Sequence, residues 1–193
     1  SPMIEKMKKF ISGQISVNYR INAGIIPKNV WIQDRTIGGG RIIGEVCHFI
    51  DTCSYLIGSE VKSVFATTIN KEDKSIPDED NVNIVLNYVN GSTATISYYA
   101  YGDNSMPKEY IEVFSSGVSM QMNDFRELTI FKGGKSSKEK SANQDKGFVN
   151  EFKAFKEAVK SGNEAISFDS IYNTTKTTFK ILESIRSKSL VEV

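Results

Sequence analysis

Apolar and polar residues alternate along much of the central part of the chain. Alternation across positions 14–21 predicts a strand with one buried face. Further strands are predicted at positions 61–69, 82–89, 93–99, 109–115, 119–122 and 127–131. Asn90-Gly91 stands between two of these segments and is a strong signal for a hairpin. The alternating segments therefore predict a mainly antiparallel sheet.

Apolar residues at helical spacing mark four other segments. Helices are predicted from Ser1-Pro2 and at positions 41–57, 147–160 and 168–187. The tract at positions 133–146 is rich in lysine, serine, glycine and asparagine, and is predicted to be a solvated loop. The order of elements predicts an α+β fold, in which a large, mainly antiparallel, open-faced sheet has helices packed on one face. Because no linker divides the chain, we expect residues 1–193 to form a single domain.

The composition excludes several classes of protein. A formal net charge of +1 favours neither nucleic acid nor an anionic membrane as a partner. No apolar run approaches the roughly 20 residues that span a bilayer. Cys47 and Cys53, six positions apart on a predicted helix, are interpreted as buried thiols rather than as a disulfide. The cytoplasm is therefore the expected compartment.

The start of the chain has two interpretations. Ser1-Pro2 fits the first positions of a helix, and no methionine precedes it. The chain is therefore interpreted as part of a longer polypeptide. The alternative is a short protein that has been processed or tagged.

The predicted helix at positions 41–57 carries the candidate chemistry. A helical wheel places His48, the only histidine, on its polar face, with Glu45 three residues before it and Asp51 three residues after it. An imidazole exchanges protons near neutral pH and a carboxylate can orient it, so His48 and Glu45 are candidate catalytic residues. The alternative is an amphipathic helix whose solvated face carries a histidine without function.

Neither a metal site nor a nucleotide site is indicated. The histidine and the cysteines lack the spacing of zinc motifs. Gly38, Gly40 and Gly44 form G-x-G-x-x-x-G, one residue away from the dinucleotide fingerprint, and no predicted strand leads directly into it. We therefore expect the chain to bind no metal, and no NAD or NADP on its own.

The run from Gly38 to Asp51, followed by Tyr55-Leu56-Ile57-Gly58, resembles the glycine-rich helix in the second domain of the Gfo/Idh/MocA oxidoreductases. Further matches at positions 19–24, 108–114, 124–126 and 145–147 extend the likeness over nearly the whole chain. The resemblance implies an N-terminal Rossmann domain, absent from this chain, that binds NAD or NADP. It also implies a sugar, nucleotide-sugar or polyol dehydrogenase with His48 as the proton-transfer residue, and a homo-oligomer formed through the open sheet.

One departure from the family pattern leaves the activity open. Many members carry an aspartate four residues before the histidine, where this chain has Gly44, and Glu45 is rotated from that position by about 100°. Either Glu45 supports His48 from the side, or the chemistry differs, or the protein is inactive. The alternative function is a non-catalytic sugar-binding or assembly domain. A third interpretation is a scaffold whose sheet binds another chain.

Three other residues are candidates for substrate binding. Trp31 either stacks on a pyranose face or packs as a plug in its loop. Asn22 either lines the sugar site or ends a strand. Asp51 shares the polar helix face with His48.

Overall fold

The computed structural model describes residues 1–69 and 77–193. Within these residues, nine strands form one sheet. The strands are β1 (Ser16–Asn22), β2 (Val61–Thr68), β3 (Asn81–Tyr88), β4 (Thr93–Tyr99), β5 (Glu109–Ser115), β6 (Val118–Asn123), β7 (Glu127–Lys132), β8 (Lys135–Lys140) and β9 (Val191–Glu192). Their order across the sheet is β8-β7-β6-β5-β1-β4-β3-β2-β9.

Neighbouring strands pair antiparallel with one exception. The exception is the parallel pair of β1 and β4, which arises because β1 is inserted between β4 and β5. β3 and β4 form the predicted hairpin, with Gly91 in its turn at φ 85°, a left-handed conformation that glycine adopts without strain. The predicted mainly antiparallel sheet is therefore confirmed.

Helices cover one face of this sheet. In the described ranges, α1 (Pro2–Lys8), α2 (Cys47–Ile57) and α4 (Phe168–Ser187) pack on this face, whereas α3 (Phe148–Ser161) has no buried residue. Alternate strand residues, such as Val17 and Ile21, are completely buried. Met7, Ile50 and Ile181, on α1, α2 and α4, belong to the same buried cluster. The α+β fold with helices on one face of an open sheet is confirmed.

The helix predicted at positions 41–57 is not a continuous α-helix. A π-helical turn at Ile42–Val46 precedes α2. A π turn contains one more residue than an α turn, and such turns are frequent at functional sites. The spacing of apolar residues alone does not distinguish a π turn from an α turn. The α-helical wheel drawn from the sequence is therefore wrong for positions 42–46. Gly58, at φ 72°, follows the last residue of α2 and ends it as expected.

The prediction of a solvated loop at positions 133–146 is wrong for the residues that form β8. Lys135–Lys140 pairs with β7 at the edge of the sheet, and all six side chains are exposed. Because both faces meet solvent, the strand has no apolar alternation. Gly133 and Gly134, at φ 59° and 72°, form the two-residue turn before it. A glycine pair of this kind is a hairpin signal, so the sequence did contain evidence for β8.

Candidate active site

His48 lies in the first turn of α2, and it is exposed. It borders a cavity of about 280 Å³, called here the His48 cavity. The polar lining consists of Tyr19, Glu45, His48, Thr52, Lys108, Glu109 and Lys146, and the aromatic lining of Phe49, Phe125 and Phe148. The cavity brings the two predicted catalytic residues together with groups from β1, β5 and the segment before α3.

The imidazole of His48 is available to a ligand. Among the described residues, none forms a hydrogen bond with its ring. The Thr52 hydroxyl donates to the backbone carbonyl of His48 at 2.9 Å, and so does not engage the ring. Glu45 therefore does not support the ring through a direct hydrogen bond, which was one of the interpretations left open by the sequence.

Glu45 is instead held by three donors. Its Oε1 accepts a hydrogen bond from Lys108 Nζ at 2.7 Å, and its Oε2 accepts from Arg41 at 2.9 Å and from the Tyr98 hydroxyl at 2.5 Å. Burial raises the pKa of Glu45, but these three hydrogen bonds outweigh burial and lower the pKa to about 2. Burial and the carboxylate raise the pKa of Tyr98. Glu45 is therefore an ionised anchor for Lys108, and its predicted catalytic role stays a prediction.

Replacement of Glu45 by glutamine is expected to make the stability of the chain less dependent on pH. The folded-state pKa lies below the usual 4.5, so the ionised group stabilises the fold above pH 4.5 and loses this effect as the pH falls through about 2. With a discount for partial exposure, we expect Glu45→Gln to cost about 2 kcal/mol at pH 7. Denaturation at several pH values should show this difference shrinking between pH 4.5 and 2. A difference that stays constant over that interval would contradict the assignment.

A second carboxylate in the cavity lining is Glu109, at the first position of β5. Its side chain is 5% exposed, and its Oε1 accepts a hydrogen bond from Lys146 Nζ at 2.6 Å. Its Oε2 accepts a hydrogen bond from the Tyr19 hydroxyl. Burial, with the Glu109 charge second, raises the pKa of Tyr19, which therefore stays protonated. Sequence reasoning did not single out these three residues, although each lies in a segment that matches the family.

Phe125 reaches the cavity from a strained turn. Asp124 and Phe125 connect β6 to β7 with φ values of 50° and 56°. A bulky residue in this left-handed region costs of order 1–3 kcal/mol, and such strain is concentrated at functional sites. The ring is 6% exposed, and Lys146 Nζ lies 5.4 Å from its centroid. The turn therefore fixes an aromatic surface next to the Lys146 ammonium.

Gly44 is closely packed against Ile32. A Cβ atom added to Gly44 would lie 2.8 Å from the Cδ1 atom of Ile32, so an aspartate at this position would have to displace that methyl group. The glycine and the isoleucine therefore fit each other. Glu45 is the carboxylate that the π-helical turn presents to the His48 cavity.

The other three predicted residues do not line the His48 cavity. Asn22 lines a neighbouring cavity of about 600 Å³ that also includes Lys108, and its amide donates to two backbone carbonyls of the loop after β4. Trp31 is 63% exposed in a short 3-10 helix. Asp51 borders a further cavity beside α4. Their roles in substrate binding stay predictions.

The described ranges, 1–69 and 77–193, hold neither a metal-ion cluster nor a membrane-spanning helix. They contain no cluster of three or more histidine, cysteine, aspartate or glutamate residues suited to a metal ion. In the same ranges, no helix is both long enough and apolar enough to cross a membrane. Cys47 and Cys53 are free thiols on α2, and burial raises the pKa of both. Cys47 is only partly buried, which corrects the expectation of two buried thiols.

The chain belongs to the Gfo/Idh/MocA family. Residues 11–119 match the family's profile for the GFO/IDH/MocA C-terminal domain. The matched range contains the glycine-rich segment and most of the lining of the His48 cavity. No curated protein sequence matches the chain.

Solved structures share the fold over essentially the whole chain. The aldose-aldose oxidoreductase from Caulobacter crescentus, complexed with glycerol, is 19% identical with a TM-score of 0.80, over 99% of this chain and 59% of that chain. The NAD-binding oxidoreductase from Klebsiella pneumoniae is 15% identical with a TM-score of 0.81, over 100% and 63%. Levoglucosan dehydrogenase in complex with NADH is 18% identical with a TM-score of 0.76, over 100% and 61%. The chain thus spans about three-fifths of the length of these structures.

Proposed function

We propose that this chain is the substrate-side domain of a dehydrogenase that acts with NAD or NADP on a sugar, nucleotide sugar or polyol. The observation that carries the proposal is the exposed imidazole of His48 at a cavity lined by hydrogen-bonding side chains. Membership of the family supports it, as do the oxidoreductases among the structural relatives. In this proposal, a Rossmann domain outside residues 1–193 binds the nucleotide, which accords with the greater length of the matched structures.

The residues of the His48 cavity would orient and deprotonate a substrate hydroxyl. A ring nitrogen of His48 accepts the hydroxyl proton, a role suited to an imidazole near neutral pH. Lys108 and Lys146, each fixed by a carboxylate, donate hydrogen bonds to other substrate oxygens. Hydride acceptance is the chemistry that a nicotinamide supplies when bound. Glu45 stays ionised throughout and keeps Lys108 in place.

The exposed face of α3 supports the docking of a second domain beside this cavity. None of the α3 side chains is buried. Phe148, Phe152, Phe155 and Val159 form one stripe at helical spacing, and each is 63–74% exposed. A large exposed apolar surface of this kind marks an interaction site. Because Phe148 also lines the His48 cavity, a nucleotide domain seated on this stripe would lie next to the imidazole.

The proposal includes a homo-oligomer formed through the sheet. Four apolar residues lie on the sheet face that the helices leave uncovered, and they are 37–47% exposed. Phe65 and Val85 are paired across β2 and β3, and Phe114 and Phe131 flank one residue of β6. A second copy of the chain would remove these apolar side chains from water.

The second candidate function is a non-catalytic sugar-binding or assembly domain. The packing of Ile32 against Gly44, where many family members carry aspartate, favours it. An assay of the full-length protein against sugars, nucleotide sugars and polyols, with NAD and NADP, separates the two. The dehydrogenase proposal requires reduced cofactor from at least one substrate, whereas sugar binding without turnover across the panel would favour the alternative.

Residues 1–193 alone are expected to bind no NADH. The glycine cluster at positions 38–40 follows the 3-10 helix Trp31–Gln33 rather than a strand, so the strand–turn–helix unit that binds a pyrophosphate is not formed there. Fluorescence titration of the chain with NADH should show no saturable change, while the full-length protein serves as the positive control. Micromolar binding by residues 1–193 would contradict the placement of the nucleotide site in another domain.

A further inference from the structure

The hydrogen-bonding groups that remain free in the His48 cavity are mainly donors. Both oxygens of Glu45 and both oxygens of Glu109 already accept hydrogen bonds from the protein. Lys108 and Lys146 each carry three N–H donors. Within the described part of the chain, each lysine donates one hydrogen bond, to its own carboxylate. Two N–H groups on each ammonium are therefore left for a ligand.

Two ammonium groups of the cavity lining are accessible to a ligand. Glu45 is paired with both Arg41 and Lys108, at 2.9 and 2.7 Å, while Glu109 is paired with Lys146 at 2.6 Å. Within the cavity lining, two lysines thus face two carboxylates, because Arg41 lies outside the lining. The side chains of Lys108 and Lys146 are 41% and 29% exposed, so a ligand in the cavity can reach them, whereas that of Arg41 is 2% exposed. An anionic group placed there would form charge-assisted hydrogen bonds with both ammonium groups.

The aromatic lining indicates that the ligand is more than a small anion. Phe49, Phe125 and Phe148 contribute rings to the cavity, and an inorganic anion would leave these apolar surfaces without a partner. A cavity of about 280 Å³ lies at the small end of ligand sites, which suits a single sugar ring. The C–H faces of a sugar ring pack against aromatic rings, while its hydroxyls meet the polar groups.

We infer that the substrate is an acidic sugar, whose anionic substituent binds Lys108 and Lys146 while a hydroxyl of the same sugar lies at His48. This inference rests on the proposed function and narrows its substrate class. A sugar carboxylate and a sugar phosphate both supply the acceptors that the two ammonium groups require. The experiment separates these two sources.

The test measures binding to the full-length protein in the presence of NADH. Calorimetry with glucuronate, glucose 6-phosphate and glucose is expected to show at least about 10-fold tighter binding of one acid than of glucose. Lys146→Met should remove this preference, because it should weaken the binding of the acid far more than the binding of glucose. The acid whose preference depends on Lys146 identifies the anionic group. Equal affinities for acid and neutral sugar, or no binding of either acid, would overturn the inference.

A matched control is available on α4. Lys180 is also 29% exposed and is paired with one carboxylate, that of Glu183, outside the cavity lining. Lys180→Met is therefore expected to leave the acid preference intact, and Lys146→Arg should retain most of it because the charge is kept. Lys108→Met is the second variant, since Glu45 keeps its other donors when Lys108 is removed. Lys108→Met should also weaken acid binding about 10-fold, so the inference can still be tested if Lys146→Met does not fold.

Turnover distinguishes failure of the inference from failure of the proposed function. If acid binding depends on Lys146 but no sugar is turned over, the acidic sugar is supported as the ligand and the dehydrogenase proposal is contradicted. Turnover of neutral sugars that Lys146→Met does not change would leave the dehydrogenase standing and overturn the acidic substrate.

Discussion

Replacement of His48 by alanine in the full-length protein is expected to lower kcat by about 100-fold or more. The imidazole is the proton-accepting group of the proposal, and its ring makes no hydrogen bond with any of the described residues. Removing it therefore takes away proton transfer without breaking a hydrogen bond of the ring. The measurement is steady-state turnover with saturating cofactor and the best substrate found in the panel.

The controls separate a chemical effect from a structural one. Since His48 is exposed, the stability of His48→Ala should lie within about 0.5 kcal/mol of the wild type. His48→Gln keeps a polar side chain but cannot accept the proton in the same way, and should be similarly slow. Exogenous imidazole should restore part of the turnover of His48→Ala by entering the vacated space. Turnover within a few fold of the wild type would show that the proton goes elsewhere.

Most of the sheet could be predicted because one of its faces is buried. In β1, Val17 and Ile21 are fully buried while Asn18 is exposed. The sequence shows this contrast as an alternation of apolar and polar residues. The edge strand β8 has no buried face, so hydrophobic pattern carried no information about it. The residues of α3 illustrate the opposite case. Their apolar stripe predicted a helix correctly, but nothing in the stripe showed that it would be left exposed.

Only those contacts of the candidate site that join residues close together in the sequence could be predicted. His48 and Glu45 lie three residues apart, and the pairing of Arg41 with Glu45 follows the ordinary i,i+4 rule. The other partners of Glu45, Lys108 and Tyr98, are 63 and 53 residues away in sequence. They meet Glu45 through the packing of helix against sheet, which no periodicity describes. The same holds for the contact between Glu109 and Lys146, which requires β5 and the start of α3 to be neighbours.

Removal of the Phe49 ring is expected to produce the largest loss of stability among these variants. Phe49 is 4% exposed; its ring lies 5.2 Å from that of Tyr19 at 76°, and 6.0 Å from that of Tyr98 at 43°. Truncation to alanine loses buried apolar area, leaves a cavity and removes these ring contacts, with an expected cost of about 3–5 kcal/mol. Urea denaturation of residues 1–193, followed by circular dichroism, measures the change.

The control for Phe49→Ala is a phenylalanine on α3, so the comparison tests both the core and the exposed surface of α3. Phe155 is a phenylalanine on α3 that is 63% exposed, so Phe155→Ala in residues 1–193 should change stability by no more than about 0.5 kcal/mol. The tyrosines that flank Phe49 donate hydrogen bonds to Glu45 and Glu109. Phe49→Ala should therefore also loosen the carboxylates that hold Lys108 and Lys146. Equal losses for the two phenylalanines would mean that α3 is packed rather than open, and the docking face proposed for the nucleotide domain would then have to lie elsewhere.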